Sequence, residues 1–483
     1  MRLAAAAFGG LLVLGSATLS SAAERSPEEW TPAVPWSQYQ GAPAHLGASD
    51  TDQLAPPLEE SWRFTPEEKG GLSAPVISGD TVFALGRTKI YAVSTSSGEL
   101  VWSIDREDGP ITSPVVFESS DPESAPLLAY VEGEGKDTQL VAVDTAEGKQ
   151  AWTFPLEEDS LSGLTAAGDQ ILVATRSGAV ASVSASSGEE TWNTVALKGP
   201  VDSAPAVDDS AVYYPVRDSA DGSLNIVSID LASGEKRWQQ KAGLPGSTSS
   251  TLSVVHPGAA DSDGSVFAVI PGFASGELYA FATSDGTVQY KTGIRAPVFP
   301  FSGMAISDGR LYISDLTGGI YGLSVLDGSR YWDFQLNSTT QQRSAPIVLP
   351  GVVLSGFNDG RIAAVATSGS SEGHLIWQTD TGEGAVKIMA VSSEVLVAAL
   401  GGDAGGLVAF RHSTGDEALV DVVSPTEMDP MGVVLAYIGA LVLVAGTALL
   451  IGRSLGDRMA AAGGGDLDEE NDEDYGPEED EEI

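Results

Sequence analysis

Residues Ala142 to Trp152 read AVDTAEGKQAW, and most of the chain is a set of variations on that stretch. Anchored on the glycine, the pattern recurs as AVSTSSGELVW (92–102), SVSASSGEETW (182–192), SIDLASGEKRW (228–238), AFATSDGTVQY (280–290) and GLSVLDGSRYW (322–332). Two degenerate copies follow: AVATSGSSEGHLIW (364–377) has three extra residues before its glycine, and AFRHSTGDEAL (409–419) has lost its aromatic. The glycines stand at 98, 148, 188, 234, 286, 328, 373 and 415, with gaps of 40 to 52 residues. Self-similarity at that period signals a propeller or a solenoid.

Residue chemistry explains the repeat. The alternating run before each glycine, such as Leu140 to Val143, reads as a strand, and the Ser/Thr/Asp-Gly cluster supplies a turn in which glycine takes positive φ. Four residues on stands Trp102, Trp152, Trp192, Trp238, Tyr290, Trp332 or Trp377. Six residues before the glycine, in copies without the insertion, stands Ala, Ser or Gly, small enough to let a ring lie against the neighbouring strand. Each ring is expected to be a core residue that docks between repeats.

The small-x-Asp-x-x-x-Gly-x-x-x-Trp pattern, fullest in Ala142, Asp144, Gly148 and Trp152, resembles the tryptophan-docking repeat of quinoprotein-like β-propellers. That family includes quinone-dependent alcohol dehydrogenases and the non-enzymatic propeller lipoprotein of the outer-membrane barrel assembly machinery. The resemblance covers about residues 58–423 and implies the fold, whereas the scaffold hosts both enzymes and interaction platforms. Within it, Leu58 to Phe64 looks like the last strand of a repeat, carrying Trp62, without the rest of its unit. Eight units follow, each opening on an apolar strand: 72–77, 111–117, 161–166, 201–207, 249–255, 298–306, 344–349 and 385–391. The expected architecture is all-β, an eight-bladed propeller over 58–424 of four-stranded antiparallel blades, with seven blades as the alternative count. Because the eighth copy offers Leu419 where the others have a ring, the N-terminal strand is the better closing strand for the last blade.

The flanks differ in character. Residues 1–23 have Arg2, an apolar run and Ser21-Ala22-Ala23, the pattern of a cleaved secretory signal, a retained anchor being the alternative. Residues 24–57 read as an extended lead-in; Trp36 to Gly47 is similar to the segment that precedes the first strand in the propeller family and includes His45. Gly432 to Gly452 is uncharged and, at about 1.5 Å per residue, long enough to span a bilayer as a helix. Arg453 and Arg458 follow it, which predicts the tail 453–483 in the cytoplasm and the propeller outside. Twelve of the residues from Asp466 to Glu482 are acidic, the composition of a disordered solvated tail. Gly432, Gly439 and Gly446 share a stripe that would let two such helices pair, although glycine is also common in membrane helices generally.

Composition excludes several functions. A net charge of −42 with 25 Lys plus Arg leaves little to neutralise phosphates, so nucleic acid is not an expected partner. No cysteine is present, which excludes disulfides and haem attachment. The four histidines, at 45, 256, 374 and 412, form no ligand-spaced pair. Asp261-Ser-Asp263-Gly264 and Asp218 to Gly222 look faintly like calcium loops but lack the downstream Glu and fall where hairpin turns belong, and Asn337-Ser-Thr339 is a glycosylation sequon by pattern alone. The family's dehydrogenases use an adjacent cysteine pair beside the quinone and an acid and amide cluster for calcium; neither is identifiable here. No catalytic, cofactor or metal residue is therefore expected. The favoured reading is a membrane-anchored extracytoplasmic module that binds envelope proteins, the alternative a quinone-dependent oxidoreductase.

Overall fold

In the structure, a computed structural model, the described residues are 36–413 apart from 118–124, 161, 202, 257–263, 273–274, 297, 299–302, 337–343, 383 and 403–404. The signal-like segment 1–23, the apolar span 432–452, its glycine stripe, the acidic tail, Leu419, the sequon and Asp261 to Asp263 all lie outside them. Among the described residues no helix is long and apolar enough to cross a membrane.

Eight four-stranded antiparallel sheets form the blades of a β-propeller. Blade 1 spans Val76 to Asp105, and blades 2 to 7 begin at Val115, Thr165, Ala206, Ser253, Ala305 and Ile347. In blade 8 the strands Ala385–Val391, Leu396–Gly401 and Leu407–His412 are completed by Leu58–Phe64, which pairs antiparallel with Leu407–His412 and sets Trp62 opposite Ala409. The first and last parts of the repeat array are thereby stitched into one sheet. Closure leaves no long open edge between the chain ends.

Burial follows position within the blade. Second and third strands, such as Thr81–Leu85 and Lys89–Ser94, are covered on both faces by neighbouring blades and so read as nearly unbroken apolar runs. Outermost strands such as Leu100–Asp105 are exposed or half-buried along their length. The innermost strands are shorter than the sequence suggests in blades 1 to 7: Val76–Ser78, Val115–Phe117 and Ala206–Val207 replace the longer expected runs. Prolines at 75, 114, 205 and 346 stand immediately before four of them and cannot donate to a ladder, so pairing starts only after the ring. Blades 3, 5 and 6 have equally short innermost strands without a proline at that position, whereas the innermost strand of blade 8, Ala385–Val391, has the expected length.

Candidate functional site: docking seams and an axial strap

Each docking ring has two neighbours, one in its own blade and one in the next. Within the blade it stands opposite the small residue of the third strand: Ala92 faces Trp102, Ala142 faces Trp152, Ser182 faces Trp192 and Ser228 faces Trp238. Ala280 likewise faces Tyr290, Gly322 faces Trp332 and Ala364 faces Trp377. A register shift follows every one of these seven pairs directly, the extra residue of a β-bulge that bends the strand locally.

Across the seam the ring covers the turn glycine of the next blade. A Cβ on Gly188, whose φ is +74°, would come within 2.7 Å of the Trp152 indole. Only glycine satisfies both the backbone and that contact. The indole N–H donates to the carbonyl three residues before the glycine: Trp62 to Thr95 (2.8 Å), Trp102 to Thr145 (3.0 Å), Trp152 to Ala185 (3.0 Å), Trp192 to Leu231 (2.9 Å) and Trp238 to Thr283 (2.8 Å). Tyr290 reaches the same place, its hydroxyl donating to Val325 O at 2.6 Å. Trp332 covers Gly373, yet its buried N–H has no partner. The extra residues of that copy fold as a 3₁₀ turn, Gly369–Ser371. Arg310 ties this seam instead, donating to Thr367 O and pairing with Glu372. Trp62, Trp192, Trp238 and Trp377 are buried, whereas Trp102, Trp152, Tyr290 and Trp332 are half-buried. The glycine of the turn beyond Trp377, Gly415, lies outside the described residues.

A second element occupies the axis. Residues 36–51 do not run straight to the first outer strand but circle the channel as a buried strap of turns, meeting the blades in order. The innermost-strand amides of Ile77, Val116, Val207, Val254, Ile306 and Val348 donate to the carbonyls of Trp36, Ser37, Pro43, Ala44, Leu46 and Gly47, at 2.7 to 3.0 Å. In blade 3 the Gln38 side chain substitutes, accepting from Ala166 N at 2.9 Å and donating to Ala166 O. In blade 8 the Thr51 hydroxyl donates to Ser393 O at 2.6 Å. These amides belong to the edge of each blade that faces the axis and would otherwise be unpaired in the interior.

The strap's side chains fill the centre. Trp36, Tyr39 and Gln40 meet Ala74, Ala345, Ile347, Ile388 and Met389 around a cleft with no interior room for a water molecule. On the other side a Cβ at Gly303 would lie 2.9 Å from the Tyr39 hydroxyl and closer still to the Gln40 amide. Small residues on the inner rim are thus what admits the strap's large ones. His45 is fully buried with φ +54°. Its Nδ1 lies 3.1 Å from Leu252 O, a pure acceptor, so that nitrogen carries a proton. Nε2 lies 3.3 Å from Thr165 Oγ1, a hydroxyl that donates its one proton to Pro205 O at 2.6 Å. Burial pushes the imidazole pKa down to about 4, against the partly compensating bond to Leu252.

The other histidines do not join it: His256 lies 3.7 Å from Asp209, and His374 and His412 contact the carbonyls of Glu372 and Ala55. The loop Asp218 to Gly222 is a hairpin turn in which Asp221 accepts from Ser223 N and pairs with Lys241 at 3.0 Å. Among the described residues no three His, Cys, Asp or Glu side chains converge. The strap's contacts were not readable beforehand, although apolar Trp36, Tyr39, Leu46 and Leu54 in a supposed linker were a signal of burial.

The family described as outer membrane protein assembly factor BamB matches the chain in four overlapping stretches, 58–154, 136–297, 225–372 and 301–432. The polyvinylalcohol dehydrogenase of Sphingopyxis sp. (strain 113P3) is 24% identical over 430 residues, 68% of this chain and 64% of the relative. The outer membrane protein assembly factor BamB of Yersinia pestis is 28% identical over 167 residues, 33% of this chain and 40% of the relative. The chain therefore spans less than two thirds of the length of either. Among solved structures, the quinohemoprotein alcohol dehydrogenase ADHIIG of Pseudomonas putida HK5 aligns with a TM-score of 0.62 at 13% identity over 82% of each chain, a likeness of fold alone.

Proposed function

The chain belongs to the family of outer membrane protein assembly factor BamB, and from that premise we propose that it is a membrane-anchored, extracytoplasmic propeller that holds envelope proteins together. The observation that carries this reading is the filled axis. Among the described residues a planar quinone has no room in the cleft between the strap and the inner rim, since Trp36, Tyr39 and Gln40 already occupy it. The residues present do not fit that cofactor on the axis. What the folded chain offers to other molecules is its outer wall and the loops of its two faces, which suits a platform for proteins. The Yersinia relative, by its name an assembly factor, supports the same direction.

The anchor and the topology rest on sequence alone: an apolar span at 432–452 followed by Arg453 and Arg458, and a signal-like segment at 1–23. On this reading the acidic tail is cytoplasmic, and the helix either stands alone or pairs through its glycine stripe.

The second reading, a quinone-dependent oxidoreductase, is favoured by the likeness to polyvinylalcohol dehydrogenase. Two experiments separate them. Crosslinking in intact envelopes, read by mass spectrometry, should recover discrete partner proteins attached to propeller residues. Dye reduction by alcohols after reconstitution with quinone and calcium should stay at the level without protein; saturable turnover would replace the first reading by the second.

A further inference from the structure

The outermost strand of blade 4, Lys236–Pro245, differs from its seven counterparts. It has ten residues, whereas the others have six or seven. It carries Lys236, Arg237 and Lys241 and no carboxylate, in a chain with 67 acidic residues against 25 basic ones. The outermost strands of blades 1, 3 and 7 carry carboxylates and no cation, and blade 8 adds Glu59 and Glu60 beside Arg63.

No strand lies beyond it in its sheet. An outer edge of this kind presents a row of backbone donors and acceptors to any extended chain that approaches. All three cations are exposed, as are Gln239, Leu244 and Pro245, with Leu244 at 77% the most exposed large apolar side chain among the described residues. Their local acidic neighbours are only partly available to them. Lys241 pairs with Asp221 at 3.0 Å, but Arg237 stands 3.9 Å from Asp230, whose carboxylate is engaged by Ser233 and Ala232 of its own turn. Lys236 donates to the Gln239 amide oxygen at 3.3 Å.

We infer that this strand is the docking edge for an extended acidic segment of a partner protein, which adds a fifth strand to blade 4. Charge chooses the occupant: a second copy of this chain, at a net −42, is repelled by most of the wall, whereas an acidic extended segment finds here a cationic strand long enough to pair with. The inference rests on the reading of the chain as a binding module and names the chemistry of one partner.

The test uses the full-length protein in detergent and a fluorescein-labelled ten-residue peptide of alternating Glu and Val. Binding should be saturable and should weaken with salt, as contacts between exposed charges do. The triple reversal K236E/R237E/K241E, shown to be folded by its unchanged melting temperature, should weaken it by about tenfold or more. A peptide methylated on alternate backbone nitrogens keeps the charge but cannot pair as a strand, and it should not bind. Amides of 236–245 should exchange more slowly with the unmethylated peptide present. Equal binding by the reversed variant, equal binding by the methylated peptide, or no binding to the native protein would each overturn the inference. If partners are nevertheless crosslinked elsewhere on the propeller, the module reading stands without it.

Discussion

The docking seams and the axial strap both hold blades together, yet they do so by opposite means. At a seam, one side chain does the work: a ring chosen by sequence covers a glycine chosen by sequence, and the arrangement repeats from Trp62 on Gly98 to Trp332 on Gly373. At the axis, a single aperiodic segment offers mostly backbone carbonyls to amides that recur once per blade. The seam is local and can be lost one at a time. The strap is shared, since every blade contacts it, seven through an innermost-strand amide and blade 8 by accepting from Thr51 at Ser393 O.

The strongest test of that contrast is removal of residues 36–51. Seven amide bonds of roughly 1 kcal/mol net each, together with the buried Trp36, Tyr39 and Leu46, approach the whole stability of a typical domain, about 5–15 kcal/mol. The expected outcome is loss of the cooperative unfolding transition in calorimetry. A deletion variant that melts within a few degrees of the parent would make the strap an ornament.

A single seam should cost less. Trp238→Ala removes a buried indole and its bond to Thr283 O, and about 3–5 kcal/mol is expected by urea unfolding. Were it to match the strap deletion, the distinction between local and shared ties would fail.

The strap also carries a pH signature that the seams lack. His45 titrates near 6.5 when unfolded and is held down to about 4 in the fold by burial. Between those values the unfolded chain binds the proton and the folded one does not, so this contribution to stability is complete above about pH 6.5 and is lost as pH falls toward 4. The magnitude is about 3 kcal/mol. Protonation of the many carboxylates changes stability over the same range, so the quantity to measure is the difference between the parent and His45→Gln. That difference should narrow in favour of the variant on acidification. A constant difference from pH 7 to 4 would show that the imidazole is not titrating as described.

The smallest effect distinguishes two seams. Phenylalanine at 238 loses the indole bond to Thr283 O, while phenylalanine at 332 loses none, because that N–H is unpartnered. Trp238→Phe should therefore be the more destabilising by about 1 kcal/mol. Equal losses would mean that the hydrogen bond adds nothing to ring packing.

This contrast also explains what could be read from the sequence. Glycine and aromatic at fixed spacing are side-chain requirements, so they are written in residue types, and blade count and the N-terminal closing strand follow from them. In blades 1, 2, 4 and 7 the innermost strands were overestimated because their apolar residues extend beyond the proline at which pairing starts; blades 3, 5 and 6 have equally short strands with no proline there. The strap escaped because carbonyls are supplied by any residue; Pro43, Ala44 and Gly47 serve equally well, and nothing in their identity announces a bond. Likewise nothing in the three-residue insertion announces that the Trp332 N–H lacks a partner and that Arg310 binds Thr367 O at that seam.

The account depends most on one chain segment sealing the axis against all the blades, and amide hydrogen exchange reads that directly. The amides of Ile77, Val116, Ala166, Val207, Val254, Ile306 and Val348 should exchange only through global unfolding, with protection equal to that of second-strand amides such as Val82 and Leu172. Fast exchange at these seven positions, with the second strands still protected, would mean that the strap leaves the axis in solution and that the channel is open to ligands after all.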